Sequence, residues 1–244
     1  MQFLKVKTPK LRPPQINIFD VLDKHLPKLK NGDVLFIASK ILGLHQGRTK
    51  KIGEGKNKHQ LILQEADYCM PKHTVAGADI VLTIKDHTLI PSAGIDESNG
   101  DGYYIYWPKN TNLLAKQITD YLKKKFKLKK LAVIATDSHT SPLRWGTLGI
   151  SIGFWGMEPN FDYRGKKDIF SRKLKYTQSN IVDALSAMAV LLMGEGNEQT
   201  PMVIGRDLKF IKFTTKNTYN KFIIDPEKDL YFPILKQFKK NTTT

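Results

Sequence analysis

Residues 131–146 (LAVIATDSHTSPLRWG) set an apolar, strand-forming run directly against a carboxylate, an imidazole, several hydroxyls and a guanidinium. The polar groups are Asp137, Ser138, His139, Thr140 and Arg144. Hard oxygen ligands on short side chains, with a cation beside them for oxyanions, suit a divalent metal carrying phosphates. The same composition also suits a plain turn in which Asp137 caps its own loop. Two further acidic clusters stand at the ends of expected elements: Asp96-Glu97 in GIDESN, and Glu195 with Glu198 in MGEGNEQTP. Each alone reads as readily as a solvated turn. Taken together, and with Ser and Asn oxygens beside them, they suggest magnesium or manganese holding nucleotide phosphates. Lys40, Arg48, Arg144 and Arg164 occupy similar loop positions and would offset phosphate charge.

Other chemistries lack their patterns. The glycine- and lysine-rich stretch 50–58 contains no G-x-x-x-x-G-K-[ST], and the chain has no G-x-G-x-x-G, so neither usual nucleotide fingerprint is present. No Ser-His-Asp spacing supports a hydrolase triad, and no Cys/His pattern supports zinc. His139 is either a general base beside Asp137 or an ordinary loop histidine.

The 244 residues suffice for one large domain or two small lobes with a real core. A hydrophobic content of 41% with 25% charged residues describes a globular protein, and no apolar run reaches the length of a membrane span. The lone Cys69 excludes an intramolecular disulfide framework and fits a reducing cytoplasm. The net charge of +16 favours anionic partners: nucleic acid, an anionic membrane surface, or phosphorylated and carboxylate-rich small molecules. Its densest cluster, 123–130 (KKKFKLKK), reads as a solvated helix end and loop.

Periodicity supplies the positioning elements. Strands are expected at 3–6 (an edge), 34–38, 80–84, 88–91, 103–107, 131–134, 149–155, 200–204 and near 222–224. Helices are expected at 18–29 with Asn17 as N-cap, 59–69, 111–126, and 177–193 capped by Thr177 or Ser179 and stopped by Gly194. The 177–193 helix is apolar enough to be buried on most sides. The polar end, KKNTTT, is expected to fray.

The set SKILGLHQGR (39–48), AGIDESN (93–99), TDSHTSPLRWG (136–146), IG…DYRG (152–165) and LLMGEGNEQTPMVIGR (191–206) resembles the coenzyme F-420:L-glutamate ligase family of γ-glutamyl ligases. The resemblance runs from about residue 31 to 206, with the motifs in matching order. It implies a GTP-dependent, amide-forming ligase that phosphorylates an acceptor carboxylate before the α-amine of L-glutamate attacks the acyl phosphate. It implies two divalent cations, Mg2+ or Mn2+: the first on Asp96 and Asp137, the second on Ser138 and Glu195. Nucleotide contacts would come from Ser39, Lys40, Asn99 and the 193–200 loop, including Met193, Gly194, Glu195, Gly196 and Asn197. Arg144 and Arg164 are candidates for anchoring substrate carboxylates, since a guanidinium binds them bidentately. Asp137 and Arg144 are thus the expected catalytic pair.

The element order and the resemblance give an α+β fold of mixed β-sheets with packed helices in two interlocked lobes, a single domain over residues 1–244. A homodimer is implied by the family resemblance alone, and a cytoplasmic setting is expected from the single cysteine. The departures are specific. Leu44 stands where the family pattern S-K-I-V-S-K has a second lysine. The family's early L-P-L-[IV] nucleotide segment is not recognisable in residues 6–18. D-T-F-G-R-P-W-R becomes DSHTSPLR. The acceptor is therefore either the coenzyme F-420 precursor or another molecule such as a folate. A catalytically lapsed nucleic-acid-binding protein is the alternative from a different class.

Overall fold

A computed structural model describes residues 1–74 and 80–240. Its central element is a five-stranded sheet in the order Gln2–Val6, Met202–Arg206, Asp33–Ala38, Leu131–Thr140, Thr147–Trp155. Only Asp33–Ala38 and Leu131–Thr140 run parallel. A parallel pair needs a long crossover, and here the crossover carries much of the site. It contains helices α2 (Ser39–His45), α3 (Lys58–Glu65) and α4 (Thr111–Phe126), and most of a four-stranded sheet. The fold is α+β, as expected.

The two parallel strands are apolar on consecutive positions because both faces of the sheet are covered. Leu35, Ile37, Val133 and Ala135 pack with α1 (Ile18–His25), α2 and α4, to which Leu114, Ile118 and Leu122 contribute the expected helix face. Val34, Phe36, Ala132 and Ile134 pack against α5 (Ile181–Met193). A smaller cluster joins Leu61 and Ile62 of α3 to Val81, Ala93 and Ile95.

Several expectations need correction. The first helix stops at His25, because Leu26 precedes Pro27 and adopts an extended conformation. The helix expected at 59–69 stops at Glu65, and Tyr68 already belongs to a strand. Residues 178–180 form a short strand, so the last long helix begins at Ile181 with Asn180, not Thr177 or Ser179, accepting from Asp183 N. That helix buries one face only, since Leu191 is 76% exposed. No strand forms at 222–224: a 3₁₀ turn at Tyr219–Lys221 precedes Phe222, which packs on the α5 cluster. Of the polar tail, Lys239–Lys240 pairs with Cys69 and Tyr68, and residues 241–244 lie outside the described residues. Most consequentially, the 131–134 strand continues through Asp137 to Thr140 as one arm of a long hairpin.

Two interactions fix the edges of this frame. Arg206 donates through Nε and Nη2 to both oxygens of buried Asp33, at 2.9 and 2.7 Å. His45 accepts from Ile18 N at 3.3 Å, and burial holds its imidazole below the ordinary value of 6.5. Replacing Arg206 with Ala strands the buried carboxylate and is expected to cost about 3 kcal/mol in a urea melt. Because the folded state prefers neutral His45, stability is expected to fall as pH drops through the unfolded imidazole's range and to level off below the folded value. His45→Gln should flatten that part of the stability–pH curve.

Candidate active site

Strand alternation sets the first geometric fact. At the end of the Leu131–Thr140 strand, Asp137 continues the face of Val133 and Ala135, while Ser138 continues the α5 face. Asp137 meets Trp107, and Ser138 Oγ lies 3.3 Å from Glu195 Oε2, just past the end of α5. The two expected metal pairs therefore lie on opposite faces of one strand.

Four segments converge on a cavity of about 400 Å3 beside this strand end. From α2 come Ser39 and Lys40; from the GIDESN loop, Asp96 and Asn99; from the hairpin, Asp137 and Ser138; from the turn after α5, Met193, Gly194, Glu195, Gly196 and Asn197. Hydrogen bonds tie the segments to one another. Asn99 Nδ2 donates to Gly196 O at 3.0 Å, and Ala38 N to Pro201 O at 2.9 Å. Gly194 ends α5 with φ of 80°, and a Cβ there would collide with the Glu198 carboxylate. The fifth lining segment, Thr8–Pro9–Lys10–Leu11–Arg12, was invisible in the sequence pattern. Thr8 N donates to Gln199 O at 3.0 Å, and Arg12 pairs with Asp101. Its only sequence signal is two cations next to a Pro-Pro break. Leu44, which replaces the second family lysine, is buried in the same wall.

The arginines behave differently from expectation. Arg144 sits exposed on the 141–146 turn and donates only to the neighbouring Leu143 carbonyl, so it does not line the cavity. The turn is driven outward because the strands stay paired up to Thr140 and Thr147. Arg164 is exposed and forked onto Asp162, whose carboxyl it lowers to about 2. Arg48 is committed to Glu65 at 2.6 Å and to the Trp107 carbonyl at 2.6 Å. Of the four basic residues, only Lys40 reaches the cavity.

Asp137 is the electrostatic centre. Burial pushes its carboxyl up to about 6, against the opposing effects of Trp107, Ser138 N and Lys40. Trp107, 2% exposed, donates its indole N–H to Oδ2, and Ser138 N donates to Oδ1 at 2.9 Å. The indole has a made seat. Ser92, Ala93 and Gly94 all have positive φ (53°, 51° and 70°), and a Cβ on Gly94 would strike the ring. For Asp96, burial acts upward, but the Lys40 ion pair at 2.8 Å and the Ser98 hydrogen bonds outweigh it and hold the carboxyl low.

Among the described residues, no group of three or more His, Cys, Asp or Glu is gathered closely enough to enclose a metal. Magnesium does not require such a cage: one or two carboxylates, with phosphates and water, are its usual partners. Asp96 and Asp137 supply that donor set, and a buried Asp137 with its charge disfavoured is a carboxylate a cation would relieve. The residues present fit the group.

A profile of the F420-0:Gamma-glutamyl ligase family matches residues 6–207. Similar chains include the Coenzyme F420:L-glutamate ligase of Methanocaldococcus jannaschii, 31% identical and covering 79% of this chain and 81% of that one. The enzyme of the same description from Methanococcus maripaludis is 34% identical, over 75% of this chain and 71% of the relative. That from Methanopyrus kandleri is 30% identical, over 84% and 87%.

Trp107→Phe keeps the ring but removes the N–H aimed at Asp137. Because that hydrogen bond favours the carboxylate, the Asp137 carboxyl is expected to titrate higher still in a 13C NMR pH titration, with an unchanged circular dichroism spectrum.

Proposed function

The chain belongs to the F420-0:Gamma-glutamyl ligase family, and from that premise we propose that it is a nucleotide- and metal-dependent γ-glutamyl ligase. Its reaction joins L-glutamate to an acceptor carboxylate, that of the coenzyme F-420 precursor, with GTP as phosphoryl donor. The observation that carries this reading is the convergence of Lys40, Asp96, Asn99, Asp137 and the 193–197 turn on one cavity. No helix among the described residues is long and apolar enough to cross a membrane.

In this reading Asp96 and Asp137 would hold one divalent ion, Mg2+ or Mn2+, and Ser138 with Glu195 would hold a second. When bound, such ions would neutralise phosphate charge during transfer. Lys40, fixed by Asp96 and Ser98, aims its charge at the phosphate end. Ser39, Asn99 and the turn 193–197 shape the remaining nucleotide contacts, and Lys10 and Arg12 add positive charge along the same wall. The acceptor carboxylate oxygen attacks the γ-phosphorus, and the nucleoside diphosphate leaves. The amine of glutamate then displaces phosphate from the acyl carbon. Positioning supplies most of the rate, since the protein contributes no covalent intermediate.

We further propose a homodimer. Leu143, Trp145, Ile169, Phe170, Tyr176 and Leu191 are at least 76% exposed, on the hairpin turn, the 162–178 segment and the outer face of α5. Apolar exposure on this scale supports a covered surface.

The test is turnover with Mg2+ or Mn2+, GTP or ATP, L-glutamate and a panel of acceptors that includes the F-420 precursor and reduced folates, read by mass spectrometry. A product heavier by one glutamyl residue is expected with the F-420 precursor; a folate product would reassign the acceptor. Asp137→Asn and Asp96→Asn are each expected to lower turnover on the order of a hundredfold or more without unfolding the chain. Chelation should abolish turnover, and added Mn2+ should restore it. Full turnover in both variants would overturn the reading.

A further inference from the structure

A second cavity, of about 230 Å3, lies against the same carboxylates. It shares Ser39, Lys40, Asp96, Ile105, Asp137 and Ser138 with the larger one, so the two cavities adjoin along these residues. We infer that this second cavity holds the amino-acid co-substrate, an α-amino dicarboxylic acid the size of glutamate, with Lys58 as the anchor of its side-chain carboxylate. The inference rests on the ligase reading and extends it to a site and a residue.

Size selects the occupant first. A space of this volume suits a molecule of about ten non-hydrogen atoms, and a nucleotide is the better match for the larger of the two cavities. Composition selects next. Ile90, Pro91, Ile95 and Trp107 give an apolar patch suited to methylene groups, and most of the remaining lining is polar, with Lys, Asp, Ser and Thr side chains. Apolar surface for a short methylene chain beside polar groups for charged ends suits a small dicarboxylic amino acid.

Donor counting then singles out Lys58. Two lysines line the cavity, and an ammonium has three donors. Lys40 spends its donors on Asp96 Oδ2 at 2.8 Å and on the Ser98 carbonyl and hydroxyl, each at 2.9 Å. Among the described residues, Lys58 makes one side-chain bond, to Glu97 Oε1 at 3.1 Å, and stands 5.9 Å from the Tyr104 ring centre. Its side chain is only 19% exposed. The Asn57–Gln60 capping box fixes the helix start that carries it. A cation this enclosed, lining the cavity and paired among the described residues with the half-exposed Glu97, is placed to take a second carboxylate.

The placement suits the second half-reaction. The acyl phosphate forms where the cavities adjoin, on the nucleotide side. With the carboxylate on Lys58, the amine of glutamate reaches it from the other side. After one ammonium proton is lost to solvent, the amine nitrogen attacks the acyl carbon. A C–N bond forms, the C–O bond to phosphate breaks, and the departing phosphate carries off the second proton.

The experiment compares wild type, Lys58→Ala and Lys58→Arg in two assays. In the first, hydroxylamine replaces glutamate and traps the acyl phosphate as a hydroxamate. In the second, radiolabelled L-glutamate is titrated onto the nucleotide- and Mn2+-loaded protein by equilibrium dialysis. The expected result is unchanged hydroxamate yield in Lys58→Ala with glutamate KM and Kd raised roughly ten- to a hundredfold, partly rescued by Arg. Unchanged glutamate KM and Kd would overturn the assignment. So would loss of hydroxamate with a raised acceptor KM, which would give the cavity to the acceptor. If wild type traps no hydroxamate yet binds glutamate through Lys58, the ligase mechanism falls and the cavity assignment stands. If neither is seen, both fall.

Discussion

A buried carboxylate is costly to ionise, and Asp137 is held at the end of a sheet where burial outweighs the groups, Lys40 among them, that favour its charge. Burial lifts its carboxyl to about 6, and the two hydrogen bonds it accepts, from Trp107 and Ser138 N, do not cancel the cost. Much of the surrounding structure maintains this arrangement. The parallel pairing of Asp33–Ala38 with Leu131–Thr140 carries Asp137 and Lys40 to the same edge, because α2 starts where the first strand ends. The left-handed turn at Ser92–Gly94 makes room for the Trp107 indole, and Arg48 grips the Trp107 carbonyl from behind. Backbone strain and a glycine are spent on holding one carboxylate in place.

The same strand edge also parts its side chains by face. Alternation sends Asp137 toward Trp107 and Ser138 toward Glu195, and both residues line both cavities. The crossover that closes the parallel pair supplies both the Asp96 loop and α3 with Lys58. The long excursion from the main sheet is thus what gives the site its second cavity.

The residues of the cavity were legible in the sequence where function had written them as local motifs. GIDESN, the Asp137 strand end and the MGEGNE turn each mark themselves by unusual polar density beside apolar runs. Segments whose role depends on long-range packing were not legible. Thr8–Arg12 joins the cavity through a backbone bond to Gln199, which no local pattern encodes. Trp107 reads as one more aromatic in YYIYW, and its bond to Asp137 spans 30 positions. Arg144 was misleading for the converse reason. It lies seven residues after Asp137, yet strand pairing up to Thr140 and Thr147 projects it into solvent. The boundary errors have local causes: Pro27 truncates one helix, and Asn180 outcompetes Thr177 and Ser179 as a cap because its side chain reaches Asp183 N.

The central claim is that the acceptor carboxylate is activated as an acyl phosphate at the Asp96–Asp137 pair. The most direct measurement uses coenzyme F-420 precursor labelled with 18O in the carboxylate that becomes the amide. It follows the label into the inorganic phosphate released during ligation. Transfer of one labelled oxygen to phosphate for each amide formed is the expected result. Amide formation with unlabelled phosphate would contradict the account, because the bond to the carboxylate oxygen would then never have passed through phosphorus.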